Sequence, residues 1–225
     1  MVFGRLRSFA HTIIFSPKGL ILGSALFFFA QTQIAQPHAV KRSDYLPPPQ
    51  IIQNLSAGLQ IQLSDSFWLR ALQDFDYCDQ PINVKECNAE SWLFKVLNLT
   101  TDLDKKFFDA YYYGALALTI IISDYEGASE IFDKGISQFP NDWRLNYAAG
   151  YHAYYEEKNK LKAAKLYNSA AEHGAPAWVK TMAGRIASEG GDEKYAAQIL
   201  EEMIKNSQDP MLVDRLKKKL SKVKQ

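Results

Sequence analysis

The segment Asp124-Tyr125-Glu126-Gly127-Ala128, followed by Phe132, Gly135 and Pro140-Asn141-Asp142, decides how this protein folds. Ala128 is followed four positions on by an aromatic ring, three further by a second small residue, and five beyond that by proline. On a helix, residues spaced by four and three lie on one face, so Ala128, Phe132 and Gly135 form a single stripe. Small side chains let a second helix approach closely, the aromatic fills the space beside them, and Pro140 stops the helix. The segment therefore predicts the second helix of an antiparallel helical hairpin.

The same spacing recurs on either side. Residues 111–122 supply the first helix of this hairpin. Downstream, Ala163, Tyr167 and Ala170 take the small–aromatic–small roles before the turn Gly174-Ala175-Pro176, and the preceding helix, residues 143–157, carries Gly150 where close packing needs a small residue. A third set, Ala196, Leu200 and Met203, follows a helix over 178–188 in which Gly184 stands twelve residues before Ala196, with the turn at Gly190-Gly191-Asp192. Upstream, a degenerate pair reads as helices over 66–77 and 89–102, with Leu103-Asp104-Lys105 where the others have a proline-type ending. A last basic helix over 210–223 places Met211, Leu212, Leu216, Leu220 and Val223 on one stripe and reads as a cap. The period is about 33–35 residues, the length of a stacking two-helix unit.

Through these residues the protein resembles the tetratricopeptide-repeat (TPR) family over residues 105–210, and less fully over 64–104. It is also similar to membrane-anchored TPR proteins of Gram-negative bacterial envelopes. That likeness is carried by Ser66-Phe67-Trp68-Leu69-Arg70-Ala71-Leu72, Tyr111-Tyr112-Tyr113-Gly114-Ala115-Leu116-Ala117-Leu118 and Pro140-Asn141-Asp142-Trp143-Arg144-Leu145. The resemblance implies an all-α fold: a short TPR-like solenoid, a right-handed stack of three to four helical hairpins with a C-terminal capping helix, plus an N-terminal apolar anchor helix. It implies an envelope location and brings no established biochemical activity with it. The expected organisation is a signal-anchor or signal peptide at 1–36, a proline-containing linker and short helix at 37–63, and the repeat domain at 64–225.

The N-terminal assignment has its own physical basis. Gly19 to Ala30 is uncharged and apolar and follows a start containing Arg5, Arg7 and Lys18 but no acid. The uncharged stretch extends to Gln36, close to the roughly 20 residues a membrane span needs. Phe28 occupies the position where a cleavable signal would carry a small residue, which favours an uncleaved anchor over a cleaved signal. Positive charge before the apolar run places the body across the membrane from the cytoplasm. The expectation is thus a single-pass inner-membrane protein with its repeat domain in the periplasm, the alternative being a cleaved, soluble periplasmic form. Pro47-Pro48-Pro49 reads as a stiff spacer. Cys78 and Cys87, with eight residues between them, can close a small disulfide loop in an exported protein; the alternative is two unrelated buried thiols.

Charge and motif content narrow the function. The net charge is +1, yet residues 1–42 and 211–225 are both strongly basic, so the body between them is acidic. That argues against nucleic acid as a partner. His11, His38, His152 and His173 are scattered, neither cysteine has an adjacent base, and no phosphate loop, dinucleotide fingerprint or zinc-helix motif is present. No catalytic residue, metal site or cofactor is expected. His152 reads as a packed or exposed helix residue. The aromatics of the first helices stand out instead. With Gly150 as the close-packing position, Tyr147, Tyr151 and Tyr154 share a stripe; Tyr112 takes the same place in the preceding hairpin, and Trp178 and Arg185 in the following one. These six are the candidate partner-binding groove, and the competing reading is that the rings only fill hairpin interfaces. The Lys217-Lys218-Lys219 cluster with Lys222 and Lys224 reads as a solvated cap face, the alternative being a contact for anionic lipid or an acidic partner. The function expected is a non-enzymatic, membrane-tethered TPR scaffold or adaptor that binds a protein partner of a secretion, pilus or motility complex. The alternative is a periplasmic chaperone, and further behind stands a glycan binder or enzyme.

Overall fold

The computed structural model describes residues 21, 23–27, 29, 47–73 and 89–223. The protein divides into two compact units, Met1–Asp44 and Tyr45–Gln225. In the first, the described residues are helical. No helix among the described residues is long and apolar enough to cross a membrane, and most of the expected anchor falls outside them. So do Cys78, Cys87 and the linker before Pro47. The second unit is helical with no strand among its described residues.

Its helices are α1 (Gln60–Gln73), α2 (Trp92–Leu103), α3 (Phe108–Ala117), α4 (Tyr125–Gln138), α5 (Trp143–Tyr155), α6 (Lys160–Glu172), α7 (Ala177–Glu189), α8 (Glu193–Asn206) and α9 (Pro210–Val223). Helices α1 and α2 pack together, as do α3 and α4, α5 and α6, and α7 and α8, with α9 on α8. In addition α3 touches α5, and α2 touches α4. Successive pairs also join end to end, α4 packing on α5 and α6 on α7. Two buried apolar clusters fill the interior. One runs from Ala71 and Trp92 through Tyr111, Phe132 and Leu145; the other runs from Ala153 through Tyr167 and Val179 to Ile199. They meet within α5.

The helix ends follow from local capping. Ser91, Asp124, Asp142, Asn159 and Asp192 each cap a helix by accepting from the backbone N–H of Phe94, Gly127, Leu145, Lys162 and Tyr195, respectively. Such caps satisfy donors that the first turn leaves free. Before α1, a short 3-10 turn at Gln50–Asn54 is followed by Ala57 and Gly58 at positive φ. Leu59 N–H donates to the Ser56 carbonyl across that turn at 2.8 Å, and α1 starts at Gln60, six residues before the expected start at 66. At the other end α2 begins at Trp92 rather than 89, because Ala89 turns the backbone with φ 56° and Ser91 caps the helix. The third departure is in α3, which widens into a π turn at Leu118–Ile122. Thr119 and the three isoleucines after it are stiff at χ1 and crowd a regular helix. Ser123 then ends the turn in the left-handed region. Fourth, α9 buries only Leu216 completely; Met211 and Leu212 of the expected stripe are exposed. Helix α9 packs chiefly on α8, and only part of its apolar face is covered.

The small residues do what the spacing predicts. A Cβ on Gly135 would lie 2.8 Å from Tyr111 Cβ and 3.0 Å from its Cγ. One on Gly150 would lie 3.1 Å from the Tyr167 ring. Phe132 covers the equivalent space in the α3–α4 pair and is 1% exposed, with Ala128 and Ala115 at 0%. Tyr111 cannot retreat: it is fully buried and its hydroxyl donates to the Thr101 carbonyl at 3.3 Å. Burial first, and then the charges of Asp102 and Asp104, push its hydroxyl up to about 12, so it remains a donor. Gly184 is looser, with the nearest atom 3.4 Å from its would-be Cβ. Gly135→Ala should therefore destabilise the protein by about 1–3 kcal/mol through overpacking, despite alanine's better helix propensity. Gly184→Ala should be neutral or stabilising by up to about 1 kcal/mol. Urea unfolding of both variants checks the contrast.

Candidate functional site

The exposed side of α3, α5 and α7 carries the aromatic residues singled out by sequence. Helix α5 places Gly150 against α6, and the next residue, Tyr151, turns outward. Tyr147 is half-buried; its ring stands edge-on to Tyr167 at 5.3 Å and to Trp178 of α7 at 6.0 Å. Tyr151 is 41% exposed and Trp178 55% exposed. Tyr154 is half-buried, and its hydroxyl donates to Glu189 Oε2 of α7 at 3.3 Å. The Glu189 charge, with a smaller part from desolvation, raises the Tyr154 pKa. Arg185 is exposed and pairs with Glu189 one turn further on, at 3.5 Å. Tyr147, Tyr151, Tyr154, Trp178 and Arg185 thus lie together across α5 and α7.

Tyr112 sits further along on α3. It stacks on Phe108 with ring centroids 5.7 Å apart and meets Tyr113 edge-on at 4.9 Å. The Arg144 guanidinium of α5 lies over the Phe108 ring at 4.8 Å and is held by Asp142, which joins this part of the face to α5. The two readings of the aromatics, groove lining and interface filling, apply to different atoms. Tyr147 and Tyr154 pack on one side and are open on the other, whereas Tyr151 and Trp178 are mainly open.

Two further tyrosines belong to this face. Tyr155 is 47% exposed and packs on Tyr151 at 4.6 Å and on Tyr154 at 4.9 Å. Tyr113 is 57% exposed. Tyr155 lies four residues after Tyr151, so the same helical spacing that selected Tyr147 and Tyr151 reaches it. Beneath them, Tyr167 has its pKa raised, first by burial and then by the surrounding Tyr147, Tyr155, Tyr151 and Tyr154. The result is a tyrosine-rich layer suited to water-tolerant hydrogen bonds and large ring contacts. Among the described residues, no group of three or more His, Cys, Asp or Glu residues is placed to hold a metal ion.

His152 lies on the opposite side of α5 and is 1% exposed. Its Nδ1 is 2.9 Å from Thr119 Oγ1 on the π turn, and its Nε2 is 2.9 Å from Ser129 Oγ and 3.1 Å from the Tyr125 carbonyl. A carbonyl only accepts, so the contact with Tyr125 puts the proton of the neutral ring on Nε2; the Thr119 hydroxyl beside Nδ1 also lies 2.9 Å from the Ala115 carbonyl. Ser129 Oγ also donates to Glu157 at 2.7 Å, and Lys162 bridges Glu157 at 2.9 Å and Asp133 at 3.1 Å. These groups pin the α3–α4 pair to the α5–α6 pair. They explain why α5 ends at Tyr155 instead of 157: the backbone leaves the helix so that Glu157 can reach Ser129 and Lys162.

Burial outweighs the nearby Glu157 charge and lowers the His152 pKa below 6.5. The fold therefore binds the neutral ring better than the unfolded state does. Its stabilising effect is complete above the unfolded value of 6.5 and is lost as pH falls from there through the lowered folded value. Glu157 acts in a lower window. Burial alone would raise its pKa, but hydrogen bonds from Lys162 and Ser129 hold it below 4.5, so its contribution is lost only as pH falls below that. Thermal midpoints measured from pH 7.5 to 5 should fall in the native protein and fall less in His152→Gln. Parallel profiles would contradict this account.

No protein-family model matches the sequence, and no curated protein sequence matches it.

Proposed function

We propose that this protein is a non-enzymatic scaffold whose α3–α5–α7 face binds an extended peptide segment of a protein partner. The observation that carries the reading is the set of exposed rings Tyr151, Tyr155 and Trp178, flanked by the half-buried Tyr147 and Tyr154 that they touch, on helices whose inner faces are closed by packing. Rigid rings with hydroxyl or indole N–H groups lose little conformational entropy on binding and satisfy a peptide backbone in the presence of water. A partner held this way needs no chemistry from the scaffold.

The remaining parts of the reading fit the same role. The helical pairs are read as a TPR-type array, supported by the recurring small–aromatic contacts at Gly135–Tyr111 and Gly150–Tyr167. The basic, then apolar, N-terminus is read as an inner-membrane anchor with the repeat body in the periplasm. Pro47-Pro48-Pro49 then sets the standoff from the membrane, and tethering raises the effective concentration toward partners in an envelope complex of the secretion, pilus or motility type.

The test uses the full-length protein. Tyr151→Ala with Trp178→Ala should weaken capture of the native partner by roughly 30-fold or more, the effect of losing hot-spot rings. The thermal midpoint should hardly move, because both residues are about half exposed. Undiminished capture by this variant would sink the assignment of the face.

A further inference from the structure

At the α7 end of the aromatic face, α7, α8 and α9 line an open cavity of about 340 Å³. Its walls bring together three cations, Arg185 from α7 and Lys219 and Lys222 from α9, against a single carboxylate, Glu189. The hydroxyl residues Thr181 and Ser188 line the same wall, and Leu200 and Val223 supply an apolar lining. Lys218 is paired with Asp214 at 3.0 Å, whereas Lys219 and Lys222 form no ion pair among the described residues. Two unpaired ammonium groups beside a guanidinium repel one another, and that repulsion falls when an anion enters. The apolar lining strengthens any charge-assisted hydrogen bond made there.

The cavity is joined to the aromatic face through one residue. Glu189 pairs with Arg185 at the cavity and accepts the Tyr154 hydroxyl at the face. Elsewhere the body between the two basic termini carries net negative charge, as the +1 total requires. An acidic group on a bound segment is therefore repelled along most of the molecule and attracted at this corner.

We propose that the cavity receives a carboxylate of the peptide lying on the aromatic face, and so sets the register of the bound segment. The inference rests on the peptide-binding reading above. A carboxylate matches the donor set: Arg185 offers a planar fork, the lysines are mobile point charges, and the hydroxyls of Thr181 and Ser188 add neutral donors. It can come from an Asp or Glu residue within the peptide or from the peptide's own C-terminus.

Fluorescence anisotropy of full-length protein in detergent tests this with three fluorescein-labelled peptides sharing the body Pro-Leu-Pro-Tyr-Gly-Ser. One ends in Asp-Glu with a free carboxylate, one in Asp-Glu-amide and one in Asn-Gln-amide. The first should bind roughly tenfold or more tightly than the third. Lys219→Glu with Lys222→Glu should abolish that preference, while Tyr151→Ala should weaken all three peptides by a similar factor. A preference retained by the Asp-Glu-amide assigns the cavity to an Asp or Glu carboxylate, and one lost with it assigns the cavity to a C-terminus. Equal affinity for all three peptides, no binding of any, or a preference unchanged in the charge-swapped variant overturns the inference. In the last case, loss of phosphatidylglycerol-vesicle binding by that variant would show that the lysines serve a lipid surface. An intact acid preference with no effect of Tyr151→Ala would instead overturn the peptide reading of the aromatic face and leave the anion site standing.

Discussion

Helix spacing in this protein is set by backbone pressed directly against an aromatic ring. Gly135 lies on Tyr111 and Gly150 lies on Tyr167, each too close for a Cβ without displacement. The rings are buried and fill the space beside the glycines of the opposing helix, so the interface is dense. The rest of the molecule inherits its geometry from these contacts. Because Gly150 must face inward, Tyr151 is turned about 100° away from it and emerges on the outer side of α5. The outward rings are in this sense a consequence of the inward glycine.

Polar pins add register to that packing. Asp124 is fully buried, caps α4, and also accepts from the backbone of Ala89 and Ser91 and from the Ser91 hydroxyl. It therefore ties the start of α4 to the start of α2. Lys134 does the same further along, pairing with Asp102 at 2.7 Å and donating to Asn98 and Thr101. The His152–Ser129–Glu157–Lys162 cluster links the next pair. Pairs of this kind contribute modestly to net stability, but breaking one partner leaves a buried polar group unmatched. A sliding of one helical pair on the next would do that at several places at once.

Much of this arrangement was legible from single residues. Ala128, Phe132 and Gly135 marked a packed stripe, and the structure buries all three. Asp142 before Trp143 and the Gly190-Gly191-Asp192 turn marked helix boundaries with a local mechanism. What could not be read depended on residues distant in sequence. Asp124 looks like an ordinary cap until the segment at Ala89 is brought to it, and His152 looks unremarkable until Thr119, Ser129 and Glu157 surround it. The π turn arises from a β-branched run whose local crowding is visible but whose outcome depends on the Thr119–His152 contact. Helical spacing selects the six candidate groove residues, and of these Tyr151 and Trp178 are among the exposed ones. Applied one step further, the same spacing reaches Tyr155. The cavity at α9 was not visible, because it joins Arg185 to Lys219 and Lys222, more than thirty residues further along the chain.

Site-specific photo-crosslinking in cells tests the central claim, that the α3–α5–α7 face is where this protein meets its partner. A benzophenone amino acid at Tyr151, on that face, is compared with one at Lys165, exposed on α6. The account predicts a discrete adduct from position 151 and none of the same mass from position 165. Equal adducts at both positions, or an adduct from 165 alone, would contradict it.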